Sequence, residues 1–155
     1  MNIYLLAVGN RMPGWVAQGY NEYAKRLTAD CRLKLIEIAP VKRGKNADLA
    51  RIKHSEGEKI LAAVPKSCLV IAMEVTGKAW STEQLAQQMN GWLHGGQDVA
   101  LLIGGPEGLS HECISRANIL WSLSPLTLPH PLVRVVLSEQ LYRAYSVLKN
   151  HPYHR

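Results

Sequence analysis

Cysteine is scarce in this chain, and long hydrophobic runs are missing. The 155 residues include three cysteines, Cys31, Cys68 and Cys113, which are odd in number and far apart. They predict neither a disulfide framework nor a zinc site. The apolar run at residues 3–8 is too short for a signal peptide or a membrane span. We therefore expect a cytoplasmic protein with no membrane contact and no bound metal.

Negative charge is in the minority. The chain has 18 Lys and Arg against 12 Asp and Glu, a formal net charge of +6, and six histidines. A basic small domain favours anionic partners, with nucleic acid first among them. Hydrophobic residues make up 47% of the sequence, enough for one packed core, and no repeat or long linker divides it. We expect a single domain over residues 1–155.

Apolar runs of strand length alternate with amphipathic stretches of helix length. This pattern predicts an α/β fold, a mainly parallel sheet flanked by helices. The predicted strands are residues 3–8, 33–39, 68–74, 99–103 and 119–123. The predicted helices are residues 13–28, 47–64, 82–94, 110–118 and 131–150. Ser81 with Gln84 has the spacing of a capping box at the start of the third helix.

A basic segment at residues 40–59 follows the second predicted strand. Its cations are Lys42, Arg43, Lys45, Arg51 and Lys53. A loop this basic can grip RNA phosphates, which adds salt-dependent affinity without reading the RNA sequence. The alternative is an ordinary solvated loop and helix face, and the residues alone leave both open.

A glycine-rich turn, GGPEG at residues 104–108, follows the fourth predicted strand. Two glycines let a ligand approach the backbone closely, and Pro106 stiffens the turn. Ligands of α/β sheets bind beyond the carboxyl ends of strands, which is where this turn lies. It lacks the GxGxxG and GK[ST] patterns of nucleotide-binding loops. An ordinary tight turn is the alternative.

A leucine-rich loop at residues 122–135, SLSPLTLPHPLVRV, comes next. Leu123, Leu126 and Leu128 alternate with prolines and small polar residues, which is typical of a rigid apolar slot with free backbone groups. Adenine would fit such a slot. The alternative is a buried crossover loop that packs its leucines into the core, and the residues by themselves favour that alternative.

Several of these segments together resemble one family. The segments are LLIGGPEGLS, SLSPLTLPHPLVRVVLSEQLYRAYS and the terminal NHPYHR, with AVGNRMPGWV, KRGKNAD and GKAWST. They are similar to the RlmH family of SPOUT-class methyltransferases, and the resemblance extends over essentially the whole chain. The resemblance implies S-adenosylmethionine as the methyl donor. It implies N3 of a pseudouridine in 23S ribosomal RNA as the acceptor, within the large subunit or the whole ribosome. It also implies a homodimer with a C-terminal trefoil knot, which neither composition nor periodicity predicts.

The resemblance assigns the donor-binding residues, while the catalytic and RNA-binding candidates are our own hypothesis from the C-terminal residues and the basic segment. The donor-binding candidates are Met73, Gly104, Gly105, Pro106, Glu107, Gly108, Leu123, Ser124, Pro125, Leu126, Thr127 and Leu128. The catalytic candidates are His130, Arg134, Tyr142, Arg143 and His154. The RNA-binding candidates are Lys42, Arg43, Lys45, His151, Tyr153 and Arg155. Relatives often carry another aliphatic or small residue near Met73, which a pocket built mainly from backbone groups tolerates.

The reaction suggests roles for these side chains. N3 must lose its proton before or during attack, so the site needs a base or a group that stabilises the anion. His130 and His154 are both candidates for the base. We expect arginines to hold phosphates or the anion, tyrosines to orient the base, and a second subunit to face the donor pocket.

Each assignment has a structural alternative. Arg143 and Glu139 have the spacing of a helical ion pair. A terminal HPYHR segment is usually frayed. On the last helix, a polar stripe lies beside an apolar one, and its members are Arg134, Ser138, Tyr142 and Tyr145. The competing functions are a non-catalytic RNA-binding module and a different α/β enzyme that uses a nucleotide, although the phosphate-binding motifs that the latter needs are missing.

Overall fold

A computed structural model describes residues 1–155, in which strands and helices alternate along the chain. The strands are β1 (Asn2–Val8), β2 (Arg32–Ile38), β3 (Leu69–Ala79), β4 (Val99–Ile103) and β5 (Ile119–Ser122). The helices are α1 (Gly14–Ala24), α2 (Leu49–Ala63), α3 (Thr82–Gly95), α4 (His111–Arg116) and α5 (His130–Leu148). A 3-10 turn, Pro152–His154, ends the chain.

The five strands form one parallel sheet in the order β2-β1-β4-β3-β5. All five residues of the central strand β4 are buried, because helices cover both faces of the sheet. One face packs Leu5 and Leu101 against α1, α3 and α5, and the other packs Leu6 and Leu102 against α2 and α4. The predicted α/β fold with a mainly parallel sheet is confirmed.

All ten predicted elements are present, and the differences lie at their ends. The largest difference is in β3, which continues to Ala79 instead of ending at Glu74. Its pairing with β5 shifts in register, so that Met73 and Lys78 both lie opposite Trp121. Residues 74–77 therefore bulge away from the ladder between two paired stretches.

Helix ends follow local capping chemistry. The capping box of α3 is confirmed: Ser81 Oγ accepts from the backbone N–H of Gln84 at 3.1 Å, and Gln84 Oε1 accepts from the backbone N–H of Ser81 at 2.8 Å. The side chains of Asp48 and Ser110 cap α2 and α4 by accepting from the backbone N–H groups of Arg51 and Cys113. Gly96 ends α3 in the left-handed conformation, which glycine adopts at little cost.

The last helix, α5, is buried on two sides. Its predicted polar stripe does not face solvent: Arg134, Ser138 and Tyr142 are all buried, as are Leu137 and Leu141 of the apolar stripe. The reason is that α5 packs between the sheet, α1 and α3. Arg134 and Ser138 therefore make their hydrogen bonds inside the protein.

The three cysteines are free and buried. Burial raises the pKa of the Cys31 thiol to about 12, which disfavours the reactive thiolate. None of the helices is both long and apolar enough to span a membrane.

Candidate active site

A cavity of about 770 Å³ opens where the carboxyl ends of β3, β4 and β5 meet. The GGPEG turn forms one wall, the leucine-rich loop forms another, and the bulge after Met73 forms a third. Of the predicted donor-binding residues, all line this cavity except Pro125. His130, predicted as a catalytic residue, also lines the cavity. The lining residues that were not predicted are Glu74, Val75, Ile103, Leu109, Trp121, Pro129, Pro131 and Val133.

The GGPEG turn is too tight for side chains at its first position. A Cβ atom on Gly104 would lie 2.6 Å from the backbone nitrogen of Leu109. Gly105 and Gly108 face each other across the turn, and the N–H of Gly108 donates to the carbonyl oxygen of Gly105 at 2.9 Å. Gly108 has a φ of +82°, which favours glycine. The glycines thus fix a backbone wall for the cavity.

The only charged residue of the turn, Glu107, has a partner across the chain. Arg43 Nε donates to Glu107 Oε1 at 3.1 Å, and Arg43 also pairs with Glu56 on α2. The hydrogen bond from Arg43 lowers the pKa of Glu107, and both carboxylates raise the pKa of Arg43. Arg43 was expected to contact RNA phosphates, but its guanidinium is instead held by these carboxylates.

The leucine-rich loop is fixed by its own serines. Ser122 Oγ donates to the carbonyl oxygen of Ser124 at 3.0 Å, and Ser124 Oγ accepts from the N–H of Leu126 at 2.9 Å. Leu126 is 75% exposed, whereas Leu123 is partly buried against the core, so the loop packs only some of its leucines inward. The backbone N–H groups of Thr127 and Leu128 make no hydrogen bond within the chain.

His130, the first residue of α5, lies at the cavity wall. Its Nδ1 atom is buried and has no hydrogen-bond partner. Burial, followed by the positive charges of Arg134 and Arg43, lowers the pKa of His130. The imidazole is therefore neutral at neutral pH and can accept a proton.

Arg134, one turn further along α5, is directed into the protein. Its side chain is 2% exposed, Nη2 donates to the carbonyl oxygen of Gly9 at 2.7 Å, and Nη1 pairs with Glu37 at 2.8 Å. Gly9 has a φ of +122°, and a Cβ there would lie 3.2 Å from Arg134 Nη2. Arg134 thus ties α5 to the ends of β1 and β2, and it does not line the large cavity.

A smaller cavity of about 250 Å³ adjoins the first. It is lined by Val8, Gly9, Asn10, Arg11, Met12, Pro40, Arg43, Pro106 and His130. His130 and Pro106 belong to both cavities and form the partition between them. The loop GNRMPG after β1, a segment that carried the family resemblance, is thereby placed beside the candidate donor site.

The terminal segment is folded rather than frayed. Tyr153 packs on Tyr142 with ring centroids 4.7 Å apart, and its hydroxyl donates to Glu139 Oε1 at 3.2 Å. Arg143 pairs with the same carboxylate, Nε to Oε1 at 2.8 Å, and the Arg26 guanidinium lies over both tyrosine rings. Burial raises the pKa of Tyr153 to about 12.

The catalytic candidates therefore fall into separate groups. His130 lies at the cavity, and Arg134 is in the core. Tyr142 and Arg143 lie with the terminal segment on the second half of α5. Twelve residues separate His130 from Tyr142, which is about 18 Å along a helix. Nδ1 of His154, in that segment, is buried without a partner.

Comparison with known proteins identifies the family. A family model described as "Predicted SPOUT methyltransferase" matches residues 1–154. Two proteins named ribosomal RNA large subunit methyltransferase H are similar over 100% of this chain and 99% of their own length, one from Thioalkalivibrio sulfidiphilus at 59% identity and one from Hahella chejuensis at 62%. The chain belongs to the SPOUT methyltransferases, and within them to the RlmH family.

Solved structures share the SPOUT fold at low sequence identity. A probable methyltransferase from Bordetella pertussis Tohama I has a TM-score of 0.58 at 12% identity, covering 92% of this chain and 95% of its own. A probable methylase family protein from Haemophilus influenzae Rd KW20 has a TM-score of 0.55 at 13% identity, covering 99% of this chain and 70% of its own. At these identities the similarity shows a shared overall fold.

Proposed function

We propose that the chain, as a single domain over residues 1–155, transfers a methyl group from S-adenosylmethionine to N3 of a pseudouridine in 23S ribosomal RNA. The acceptor is the large subunit or the whole ribosome, and the enzyme acts in the cytoplasm as a homodimer with a knotted C-terminal half. The observation that carries the proposal is the large cavity, whose walls are the GGPEG turn and the leucine-rich loop, in a chain 59% and 62% identical to two proteins named ribosomal RNA large subunit methyltransferase H.

The cavity fits this donor in size and in chemistry. Small-molecule pockets typically measure roughly 300–1,000 Å³, and this one measures about 770 Å³. Glu74 and Glu107 are its charged carboxylates, and neither lysine nor arginine lines it. A ligand with a positive centre is therefore favoured over a nucleotide with several phosphates.

Each wall has a separate task in holding the donor. Leu123 and Leu128 supply apolar surface for adenine, and the unpaired N–H groups of Thr127 and Leu128 can donate to its ring nitrogens. The backbone at Gly104 lets the rest of the ligand approach closely. When bound, S-adenosylmethionine supplies an activated methyl group for an in-line displacement, which depends mainly on fixing donor and acceptor in position.

We assign the proton acceptor to His130. Its Nδ1 has no partner in the chain, and its lowered pKa keeps it neutral at neutral pH. Because Nδ1 is buried, the ring nitrogen that we assign to the reaction is Nε2, which can take up the N3 proton as the nitrogen attacks while Nδ1 carries the hydrogen. The imidazole is the only group in the partition between the two cavities that can take up a proton at neutral pH.

The position of the terminal segment supports a shared site. Because it packs about 18 Å along α5 from His130, Tyr153 and His154 do not reach the cavity of their own subunit. In a homodimer, the segment of one subunit can face the cavity of the other. The proposed RNA contacts are the exposed cations Lys42, Lys45 and Arg155, together with His151 and Tyr153 of the terminal segment.

Mass spectrometry of 23S ribosomal RNA tests the proposal in cells. RNA from cells that carry the gene should contain a methylated pseudouridine that is missing when the gene is deleted and that returns on re-expression. In vitro, calorimetric titration should detect binding of S-adenosylmethionine that neither ATP nor NAD displaces. A protein that binds ribosomes but not the donor would be an RNA-binding module, and displacement by ATP would indicate a nucleotide-using enzyme.

A further inference from the structure

Arg43 joins three separated parts of the chain. It lies in the connection between β2 and α2, yet its side chain is only 25% exposed. Its guanidinium N–H groups donate to Glu56, to Glu107 and to the carbonyl oxygen of Val41. A side chain that binds RNA phosphates needs such donors free for the phosphate oxygens. Here the donors are already used within the protein.

Glu56 anchors this arrangement to α2. It is 3% exposed, and Oε2 accepts from the backbone N–H of Val41 at 3.0 Å. A carboxylate this deeply buried requires a charged partner, and Arg43 Nη2 lies 3.1 Å from Oε1. A Cβ on Gly105 would lie 3.4 Å from the same Oε1 atom. The anchored carboxylate therefore sits directly beside the GGPEG turn.

Glu107 completes the bridge on the side of the turn. Arg43 Nε lies 3.1 Å from Glu107 Oε1, and Arg43 Nη2 contacts Glu107 Oε2. Two parallel bonds between a guanidinium and a carboxylate fix orientation as well as distance. The carboxyl group of the turn is thereby held in one place relative to α2.

We propose that Arg43 is a positioning residue of the donor cavity, which holds the GGPEG turn in its binding-competent shape through Glu107 and is itself fixed by Glu56. This inference rests on the proposed function, in which the turn binds S-adenosylmethionine. Without the bridge the turn samples other conformations, and the apparent affinity for the donor falls in proportion to the competent fraction. A direct RNA contact would have a different signature, weaker RNA binding with a smaller salt dependence.

Titration of the full chain with S-adenosylmethionine, without RNA, separates these roles. We expect Arg43→Gln to raise the dissociation constant at least about tenfold, since charged hydrogen bonds to the turn are lost. Arg43→Lys should restore part of the affinity, because one ammonium cannot bond both carboxylates bidentately. Arg51→Gln removes the same charge from an exposed position on α2 and should leave the affinity unchanged. Equal affinity of wild type and Arg43→Gln overturns the inference.

A double-mutant cycle covers the case in which Arg43→Gln fails to fold because Glu56 is left unpaired. Arg43→Lys keeps a positive charge beside Glu56, and Glu107→Gln removes only the charge on the turn. If the two residues act through one bridge, the double variant should lose little more affinity than the worse single variant. If the loss of donor-binding free energy in the double variant equals the sum of the losses in the two single variants, the inference is overturned.

Turnover on ribosomes gives an independent readout. In Arg43→Gln, KM for S-adenosylmethionine should rise while kcat at saturating donor changes little, because bound ligand itself stabilises the turn. A raised KM for ribosomes with unchanged donor affinity would make Arg43 an RNA contact and overturn the inference. A wild-type protein that binds no donor would refute the proposed function, which is a separate outcome.

Discussion

Tyr153 packs on Tyr142 with ring centroids 4.7 Å apart, and this contact fixes the last residues of the chain on the second half of α5. The hydroxyl of Tyr153 and the guanidinium of Arg143 meet on the same oxygen of Glu139. The terminal segment is thus held in place, and it is held away from the cavity of its own subunit. Its role in the reaction can be separated from its role in folding.

Deletion of residues 151–155 should abolish methylation while donor binding persists. The cavity contains none of these residues, so its affinity for S-adenosylmethionine should match that of the wild type. The measurements are methyl incorporation into ribosomes and calorimetric titration of the donor. Tyr153→Phe is the matched control, since it keeps the ring and loses only the bond to Glu139. Unchanged turnover in the deletion variant would refute a functional role for the segment.

Mixing the deletion variant with Gly104→Ala should restore activity if each site uses two subunits, at a donor concentration too low for Gly104→Ala to turn over alone. The deletion variant keeps its cavity, and Gly104→Ala keeps its terminal segment. A heterodimer of the two then contains one intact site, built from the cavity of the first subunit and the terminal segment of the second. Activity should appear after the variants are co-refolded, up to about half of that of a wild-type dimer. No recovery in a verified heterodimer would mean that the site lies within one subunit.

Gly104→Ala should weaken donor binding with little loss of helical structure. The added Cβ would lie 2.6 Å from the backbone nitrogen of Leu109, so the GGPEG turn must change shape. We expect the dissociation constant to rise by more than about tenfold, the effect of losing one or two hydrogen bonds. Gly91→Ala in α3 is the control, because its Cβ meets nothing within 4 Å, and it should stabilise the helix by roughly 0.5–1 kcal/mol.

Arg134→Met should lower the free energy of unfolding by about 2–4 kcal/mol. The substitution leaves the buried carbonyl of Gly9 without its donor and breaks the pair with Glu37. Urea denaturation measures the loss. Lys149→Met breaks the exposed pair with Asp30 and should cost less than about 1 kcal/mol. Lost turnover with unchanged stability would instead make Arg134 a catalytic residue.

His130 should make the stability of the protein depend on pH in a defined direction. Burial lowers the pKa of His130 in the folded state below its ordinary value of about 6.5. Between these two values the unfolded chain binds a proton that the folded chain does not, so the free energy of unfolding falls as the pH falls. His130→Gln should be less sensitive to pH over this window in urea titrations. If the free energy of unfolding changes equally with pH in both proteins, His130 is not shielded from solvent in the folded state.

Much of the fold could be predicted because burial leaves a direct mark on the sequence. The run Val99–Ile103 is apolar throughout, as expected of a strand covered on both faces, and the structure places it at the centre of the sheet. The end of β3 left no such mark, because Val75, Thr76 and Lys78 are exposed. Its extension depends on pairing with β5, which is a tertiary contact.

The candidate site was only partly visible in the sequence. The glycine turn and the leucine-rich loop are local motifs, and both line the cavity. The bridge of Arg43, Glu56 and Glu107 could not be predicted, since its members are far apart in sequence and charged residues are usually solvated. Arg134 was predicted as a catalytic residue, but its side chain lies in the core. Helical periodicity does not tell which polar side chains have partners inside the protein. The trefoil knot stays a prediction.

The parallel arrangement of the sheet has a consequence for how the chain folds. No two neighbouring strands can pair through a hairpin, and in the centre Ile3 must find Val99. Pairing such distant segments costs the entropy of closing a large loop before favourable contacts form. Folding should therefore be slow compared with that of helical proteins of this size. On the ribosome that synthesises it, β1 cannot gain its central neighbour until β4 has left the exit tunnel.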